Sequence, residues 1–380
     1  MRPPGWVAAP GLLGLLLTGL LVSFGSGLVT PPDPAKVAEE IDRILSQEYP
    51  AGEPGAAILV WRAGQVILKK GYGLADTERK LPVTPDTVFR LASLTKVFTG
   101  TAVLMLAEQG KLDLQAPISK YLPAYPSLGR EIRVWHLLSH TSGLAEYLDR
   151  PDSMNWARNE YTLEQLIDSF KDRPASFAPG EKNVYSNSNY ILLGAILEKV
   201  SGVGFGEFVK RNIFDPLGMK STFCNSSLED VPRLATAYEP ARTASGEPDW
   251  SRLVVARPYT MTALYAAGGC LSSVEDLARF NDALLKGKLL SQKTLARNFQ
   301  PVALNNGTLG NTGYGGWQLD RINGRRAAMR GGALPGVCTW MITMPDDDLG
   351  VILLSNRTPG KPRCGMLSVR LATEITRGLQ

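Results

Sequence analysis

The sequence predicts an α+β fold in which an antiparallel sheet with flanking helices carries an inserted all-helical lobe. Two observations predict it. Segments with strand character gather near the two ends of the chain, in residues 55–74 and 317–354, whereas residues 113–280 have mostly helical and loop patterns. A sheet built from both ends of the chain places the expected active site between the sheet and the helical lobe.

The elements follow from the periodicity of apolar residues. Residues 34–49 have the spacing of an amphipathic helix, residues 57–68 that of a hairpin and residues 97–112 that of a buried helix. Four late strands are predicted at residues 317–319, 326–329, 337–344 and 350–354, and a closing helix at residues 364–377. We therefore expect one domain over residues 36–375. Its sheet lobe comprises about residues 36–92 and 281–375, and its helical lobe about residues 93–280.

The first residues have the pattern of an export signal. Arg2 precedes an apolar run of about a dozen residues, short of the ~20 that a membrane-spanning helix needs, and small residues follow the run. We expect residues 1–27 to be a cleaved signal peptide and residues 28–35 a linker, so that the protein is secreted or periplasmic. The alternative is an uncleaved segment that anchors the protein to a membrane.

Length and composition are those of an ordinary globular protein. The 380 residues are 44% hydrophobic and 20% charged, and the net charge of +5 is not concentrated in any Lys/Arg run, so we expect no nucleic-acid partner. The four cysteines include no C-x-x-C pair, which argues against a zinc site. Either they remain free thiols, or they form one or two disulfides in one of three full pairings that the sequence leaves open.

Residues Ser93-Leu94-Thr95-Lys96 are the strongest candidate for catalytic chemistry. They place a hydroxyl and an amine three residues apart at the predicted start of a helix, where both lie on one face. A serine hydroxyl is a poor nucleophile until a base takes its proton. Lysine can be that base when burial and nearby positive charge lower its pKa.

The two histidines do not indicate a catalytic triad. His136 and His140 lie in one short stretch without a G-x-S-x-G motif, and their i, i+4 spacing lacks the glutamate of a zinc-protease helix. We interpret them as residues that cap a helix end and brace the following turn. The proton of Ser93 is therefore expected to go to a group other than histidine.

Two further stretches offer polar groups. Tyr185 could shuttle protons near a lysine, and Asn187 could hydrogen-bond a substrate amide. Arg330, followed by Gly331 and Gly332, could hold a substrate carboxylate at a strand edge that a substrate backbone approaches closely. Taken singly, the first stretch favours a polar loop before a helix, and the second favours a glycine-rich turn with a surface arginine.

Together the three stretches resemble the β-lactamase and penicillin-binding protein superfamily. Within it they resemble the branch that groups class C β-lactamases with D-amino-acid peptidases and family VIII-type esterases. That family has S-x-x-K, then Y-x-N, then K-T-G or H-x-G. Residues 93–96, 185–187 and 330–332 have the same order and similar separations, and the resemblance covers about residues 36–375.

The resemblance implies a β-lactamase/transpeptidase-like fold and an acyl-enzyme mechanism. Ser93 would attack a carbonyl, and Lys96 and Tyr185 would share the proton transfers in an order that the sequence leaves open. Asn187 would orient the substrate, and the backbone N–H groups of Ser93 and Ala333 would form the oxyanion hole. The resemblance implies no metal and no organic cofactor.

The third stretch departs from the family's pattern. Arg330 stands where the family has lysine or histidine, and Gly331 removes a hydroxyl that would help to bind a substrate carboxylate. This departure argues against a dedicated β-lactamase. We expect a secreted serine hydrolase of peptides, amides or esters, either a D-Ala-D-Ala-type carboxypeptidase or an esterase, with a small molecule or cell-wall peptide as substrate. The alternatives are a class C-like β-lactamase and a non-catalytic penicillin-binding or scaffold protein.

Overall fold

A computed structural model of the chain describes residues 33–224, 227–358, 360 and 364–377. The predicted signal peptide and most of the predicted linker lie outside these residues. Helix α1 begins at Pro34, inside the predicted linker, because Asp33 caps its first turn and proline suits the first helical position. None of the helices in the described residues is both long and apolar enough to cross a membrane.

The helices and strands occur in the following order. The helices are α1 (Pro34–Glu48), α2 (Lys96–Glu108), α3 (Val134–Leu138), α4 (Ser153–Trp156), α5 (Leu163–Asp168), α6 (Asn187–Ser201), α7 (Phe205–Val209), α8 (Asp215–Leu217), α9 (Met261–Gly268), α10 (Val274–Leu285), α11 (Gln292–Asn298) and α12 (Cys364–Thr376). The strands are β1 (Ala56–Arg62), β2 (Gln65–Tyr72), β3 (Leu74–Asp76), β4 (Leu81–Pro82), β5 (Phe89–Arg90), β6 (Phe223–Cys224), β7 (Tyr238–Arg242), β8 (Pro248–Val255), β9 (Cys270–Ser272), β10 (Gln318–Ile322), β11 (Arg325–Leu334), β12 (Val337–Met344) and β13 (Leu349–Ser355).

A six-stranded antiparallel sheet is built from both ends of the chain. Its strand order is β10-β11-β12-β13-β1-β2. At its centre β1 pairs with β13 from Ala56–Ser355 to Arg62–Leu349. Both central strands are buried along nearly their whole length, so both faces of the sheet must be covered.

Helices cover the two faces of the sheet and make two cores. Along β1 the side chains alternate: Ile58 and Val60 pack with α1 and α12, whereas Leu59 and Trp61 pack with the helical lobe. This arrangement confirms the predicted α+β fold class.

Strands also occur within residues 93–280, the segment predicted as an all-helical lobe. Strands β7 and β8 form a separate hairpin, and β6 and β9 form a short three-stranded sheet with β5, which precedes this segment. Their sequence signal is weak because β8 is exposed along most of its length and β6 and β9 are very short. Helix α10 crosses the predicted boundary at residue 280 and packs on β1 and β13.

Two disulfides join the four cysteines. One links Cys224 in β6 to Cys270 in β9, and the other links Cys338 in β12 to Cys364, the first residue of α12. This pairing is one of the three that the sequence left open. The second disulfide holds the start of α12 beside the β11–β12 hairpin.

Helix α2 packs closely against residues 313–317 at Gly100. A Cβ atom at Gly100 would lie 2.7 Å from the carbonyl carbon of Gly315 and 2.9 Å from its Cα. The absence of a side chain at Gly100 therefore allows this segment to pass directly over the helix that follows Ser93.

We expect Gly100→Ala to lower the free energy of unfolding by about 1–3 kcal/mol, because the added methyl group overlaps backbone atoms. Helix propensity alone favours alanine by about 0.5–1 kcal/mol, so the sign of the change separates the two effects. Gly52→Ala is the control, since a Cβ there meets nothing within 4 Å. Urea denaturation measures both variants. A Gly100→Ala protein as stable as the parent would contradict the close approach.

Candidate active site

Ser93 lies at the turn between β5 and α2. The preceding residue, Ala92, is buried and has a φ of +49°, a left-handed conformation that side chains rarely adopt. A 3₁₀ turn over Ala92–Thr95 leads into α2, so Ser93 precedes the α-helix rather than lying within it. The turn nevertheless places Lys96 Nζ 3.2 Å from Ser93 Oγ.

The amine of Lys96 is buried among neutral oxygens. Besides Ser93 Oγ, Nζ contacts Asn187 Oδ1 at 2.8 Å and the Ala267 carbonyl oxygen at 2.6 Å. Asn187 is the first residue of α6, and Ala267 lies in the last turn of α9, where carbonyls have no partner within the helix. Three helices therefore converge on this amine.

These surroundings favour the neutral amine. Burial, and next the positive charge of Arg330, hold the pKa of Lys96 well below its usual value, while the negative charge of Glu146 opposes them. A neutral amine has two hydrogens and one lone pair. When the hydrogens satisfy Asn187 and Ala267, the lone pair faces Ser93 Oγ.

Tyr185 lies on the other side of Ser93. Its hydroxyl is 2.6 Å from Ser93 Oγ and donates to Asn187 Oδ1 at 3.0 Å. Burial raises the pKa of Tyr185, while the charge of Arg330 and the hydrogen bond with Ser93 lower it. Because 45% of the Tyr185 surface is exposed, solvent limits the rise, whereas Lys96 is fully buried. The raised pKa keeps the phenol protonated at neutral pH, beside an amine whose neutral form is favoured by burial.

Glu146 is a site residue that the sequence analysis missed. Its carboxylate accepts the backbone N–H of Asn187 and, at 3.2 Å, the side-chain Nδ2 of the same residue. The first contact satisfies an N–H at the start of α6 that has no helical partner. The second turns Asn187 Oδ1 toward Lys96 and Tyr185. The contact joins residues 41 positions apart, so no local pattern indicates it.

The two histidines accept backbone hydrogen bonds near the site. His140 Nδ1 accepts the backbone N–H of Ser186 at 3.2 Å, and its ring lies 4.7 Å from that of Tyr185 and 5.1 Å from that of Tyr190. Burial holds the pKa of His140 well below its usual value, so the ring is neutral. His136 Nδ1 accepts a backbone N–H at the start of α3. Both contacts match the predicted capping and bracing.

Residues 330–332 lie in β11, at the point where its pairing with β10 ends. The last pair between β10 and β11 is Gln318–Met329, so β11 is open on that side from Arg330 onward. A Cβ on Gly332 would overlap the Leu91 carbonyl oxygen, which shows that the strand lies directly against the residues before Ser93. The predicted strand edge is therefore present in the second half of β11 only.

The register of the hairpin directs the N–H of Ala333 away from β12. Leu334 and Val337 flank a two-residue turn and form a hydrogen-bonded pair, so the Ala333–Cys338 pair is the next, non-bonded one. The free N–H of Ala333 then faces the open edge of β11. An oxyanion hole made of this group and the N–H of Ser93 stays a prediction, with a geometry that allows it.

Arg330 is placed differently from the prediction that it binds a substrate carboxylate. It is only 7% exposed, its Nε donates to the Gly316 carbonyl oxygen, and its guanidinium lies 5.7 Å from the ring centroid of Tyr185. It does not line the cavity beside Ser93. The side chain turns inward because the segment 313–317 offers it a carbonyl partner. Its charge acts instead on the pKa values of Lys96 and Tyr185.

A tryptophan fills the space beside Gly331. Trp340 is the cross-strand partner of Gly331, and a Cβ on Gly331 would overlap its indole ring. The same ring would lie 2.9 Å from a Cβ on Gly365 in α12. An aromatic ring therefore occupies the position in which the family's pattern has a hydroxyl.

A cavity of about 1120 Å³ opens beside Ser93, between the edge of β11 and α12. Its size is sufficient for a drug-sized substrate. The residues that line it are Ser93, Tyr185, Asn187, Gly331, Gly332, Ala333, Cys338, Trp340, Cys364, Gly365, Met366, Val369, Arg370 and Thr373. Of the predicted site residues, Lys96 and Arg330 do not line this cavity.

Comparison with known sequences gives two kinds of match. The chain matches the family described as beta-lactamase over residues 42–373. Penicillin-binding protein 4* of Bacillus subtilis is 32% identical over 312 residues, which cover 79% of this chain and 67% of that protein. Protein flp of Staphylococcus aureus is 28% identical over 325 residues, 84% of this chain and 63% of that protein. The chain thus spans about two thirds of the length of these relatives.

Solved structures share the fold. A penicillin-binding protein homologue from Pyrococcus abyssi, described as octameric, has a TM-score of 0.73 and 28% identity and covers 90% of this chain and 78% of its own. A D-amino acid amidase from Ochrobactrum anthropi in complex with D-phenylalanine has a TM-score of 0.75 and 25% identity and covers 90% of this chain and 99% of its own. These matches confirm the resemblance that the motifs indicated.

We expect Glu146→Gln to move the acid limb of kcat/KM against pH to lower pH. The carboxylate raises the pKa of Lys96, so its removal lowers that pKa further, and the neutral amine then persists in more acidic solution. Glutamine keeps the side-chain length. The control is Glu164→Gln on the exposed face of α5, for which the profile should not move. An acid limb that stays in place or moves to higher pH would remove Glu146 from the electrostatics of the site.

Proposed function

The chain belongs to the β-lactamase family, and we propose that it is an exported hydrolase that forms an acyl-enzyme at Ser93 with peptide, amide or ester substrates. Membership of this family, together with the amidase and penicillin-binding relatives, makes the chain a serine hydrolase. One observation carries the proposal for the site. Ser93 Oγ lies within hydrogen-bond distance of both the Lys96 amine and the Tyr185 hydroxyl, at the wall of a cavity.

In the proposed acylation, Lys96 takes the proton of Ser93 as Oγ attacks the carbonyl carbon. The bond from Oγ to carbon forms, and the negative charge that develops on the carbonyl oxygen is stabilised by the N–H groups of Ser93 and Ala333. When the bond to the leaving group breaks, the Tyr185 hydroxyl supplies a proton to the departing atom. The proton held by Lys96 then restores the phenol.

In the proposed deacylation the same groups activate water. Water gives a proton to the neutral Lys96–Tyr185 pair as its oxygen attacks the acyl carbon. The acyl–Oγ bond breaks, and Ser93 regains a proton from the pair. The pKa directions favour Lys96 as the base in the first step, since burial favours the neutral form of its amine while the phenol of Tyr185 stays protonated.

The substrate class and location rest on separate supports. A D-amino acid amidase and penicillin-binding proteins are among the similar proteins, which supports a peptide or amide of cell-wall type, or a related ester. Export is supported by the apolar pattern of residues 1–27 and by two disulfides, which persist in oxidising compartments.

We expect Ser93→Ala to abolish both turnover and covalent labelling without unfolding the protein, because it removes only the nucleophilic oxygen. Intact-protein mass is followed over time after separate mixing with a penicillin and with a small activated ester. We expect a transient adduct with the ester and a long-lived adduct with the penicillin, both absent from Ser93→Ala.

The other outcomes separate the alternatives. A penicillin adduct that disappears while hydrolysed penicillin accumulates would indicate a class C-like β-lactamase. No adduct and no product from either reagent would favour a non-catalytic binding or scaffold protein. Adducts that persist in Ser93→Ala would remove Ser93 from the mechanism.

A further inference from the structure

The cavity beside Ser93 is apolar on the side of α12. Past Ser93, its wall consists of the Cys338–Cys364 disulfide, Trp340, Met366 and Val369. Met366 is 67% exposed although it is a large apolar side chain, and it lies at the cavity's rim. A wall of this composition favours contact with apolar rather than charged groups.

The two cations of the site, Lys96 and Arg330, do not line the cavity. The Lys96 amine contacts three oxygens, and the Nε of Arg330 donates to a backbone carbonyl. Among the described residues that line the cavity, Arg370 is the one with a charge. It lies in α12, five positions after Gly365. A carboxylate bound against Trp340 and the disulfide would therefore lose its hydration without direct contact to Lys96 or Arg330.

Trp340 is the central element of this wall. Its ring is seated between Gly331 on β11 and Gly365 on α12, neither of which could carry a Cβ without displacing it. The indole Nε1 is buried and has no hydrogen-bond partner among the described residues. Packing against two glycines, rather than a hydrogen bond, therefore fixes the ring beside Ser93.

We propose that this wall selects a substrate whose group next to the scissile carbonyl is apolar and uncharged, and that Trp340 is the residue that determines this specificity. The inference rests on the proposed acyl transfer at Ser93. It names the substrate class as neutral apolar esters or amides rather than peptides with a free carboxylate beside the scissile bond.

The test compares substrates that differ in one terminal group. On the acyl side the pair is p-nitrophenyl hexanoate and the mono-p-nitrophenyl ester of adipic acid. On the alcohol side it is hexyl acetate and 6-acetoxyhexanoate, and ethyl acetate, which has a short chain on both sides of the carbonyl, is the reference substrate. We expect kcat/KM to favour the neutral member at least tenfold in one of the two pairs.

Trp340→Ala should lower kcat/KM for that neutral substrate by about 10- to 100-fold, mainly through KM, since the variant removes apolar contact area. Turnover of ethyl acetate should be retained, which also shows that the variant is folded. Trp340→Phe keeps an apolar ring and should preserve the preference. Trp250→Ala, on the exposed strand β8, is the matched control and should change none of these values.

The outcomes distinguish this inference from the proposed function. Turnover of ethyl acetate that depends on Ser93, without a preference in either pair, would overturn the proposed role of the apolar wall and would leave the proposed hydrolase function standing. A preference that survives in a folded Trp340→Ala protein would also overturn the role of Trp340. No turnover of any ester would overturn the proposed function and this inference with it.

Discussion

A lysine amine buried without a carboxylate in contact is the constraint on which the site depends. Burial of an ammonium ion is costly, so the interior favours the neutral amine. The Asn187 amide and the last turn of α9 occupy the hydrogens of the Lys96 amine, and its lone pair is left for Ser93. Packing around Lys96 therefore determines whether its amine is charged. The amine can take the proton of Ser93, and no histidine is needed for this step.

The sheet, the helices and the loops each contribute one part of this environment. The sheet that joins both ends of the chain brings the open half of β11 against the turn that carries Ser93. The segment 313–317, which passes over α2 at Gly100, offers the carbonyl oxygen that holds Arg330 close to Tyr185. Glu146 acts in the opposite electrostatic direction through Asn187. These two charges shift the pKa of the Lys96 amine in opposite directions, and neither group is among the hydrogen-bond partners of the amine.

The sequence predicted what is local and missed what depends on tertiary contacts. The spacing of Ser93 and Lys96 was sufficient to place the hydroxyl near the amine, and the strand predicted at residues 337–344 coincides with β12. The partner of Asn187, the inward turn of Arg330 and the seat of Trp340 each require two segments far apart in sequence to meet. Disulfide pairing was open for the same reason. The hairpin β7–β8 was missed because its exposed residues lack the apolar alternation by which a strand is identified.

The most direct test of this account is the titration of Lys96 itself. The protein is labelled with lysine carrying ¹³C at Cε, and the resonance lost in Lys96→Arg is followed with pH by NMR. The account predicts that this resonance is that of a neutral amine at pH 7 and titrates well below the ~10.4 of an ordinary lysine. A resonance that remains that of an ammonium ion up to about pH 10, where ordinary lysines begin to titrate, would contradict the neutral base and the mechanism built on it.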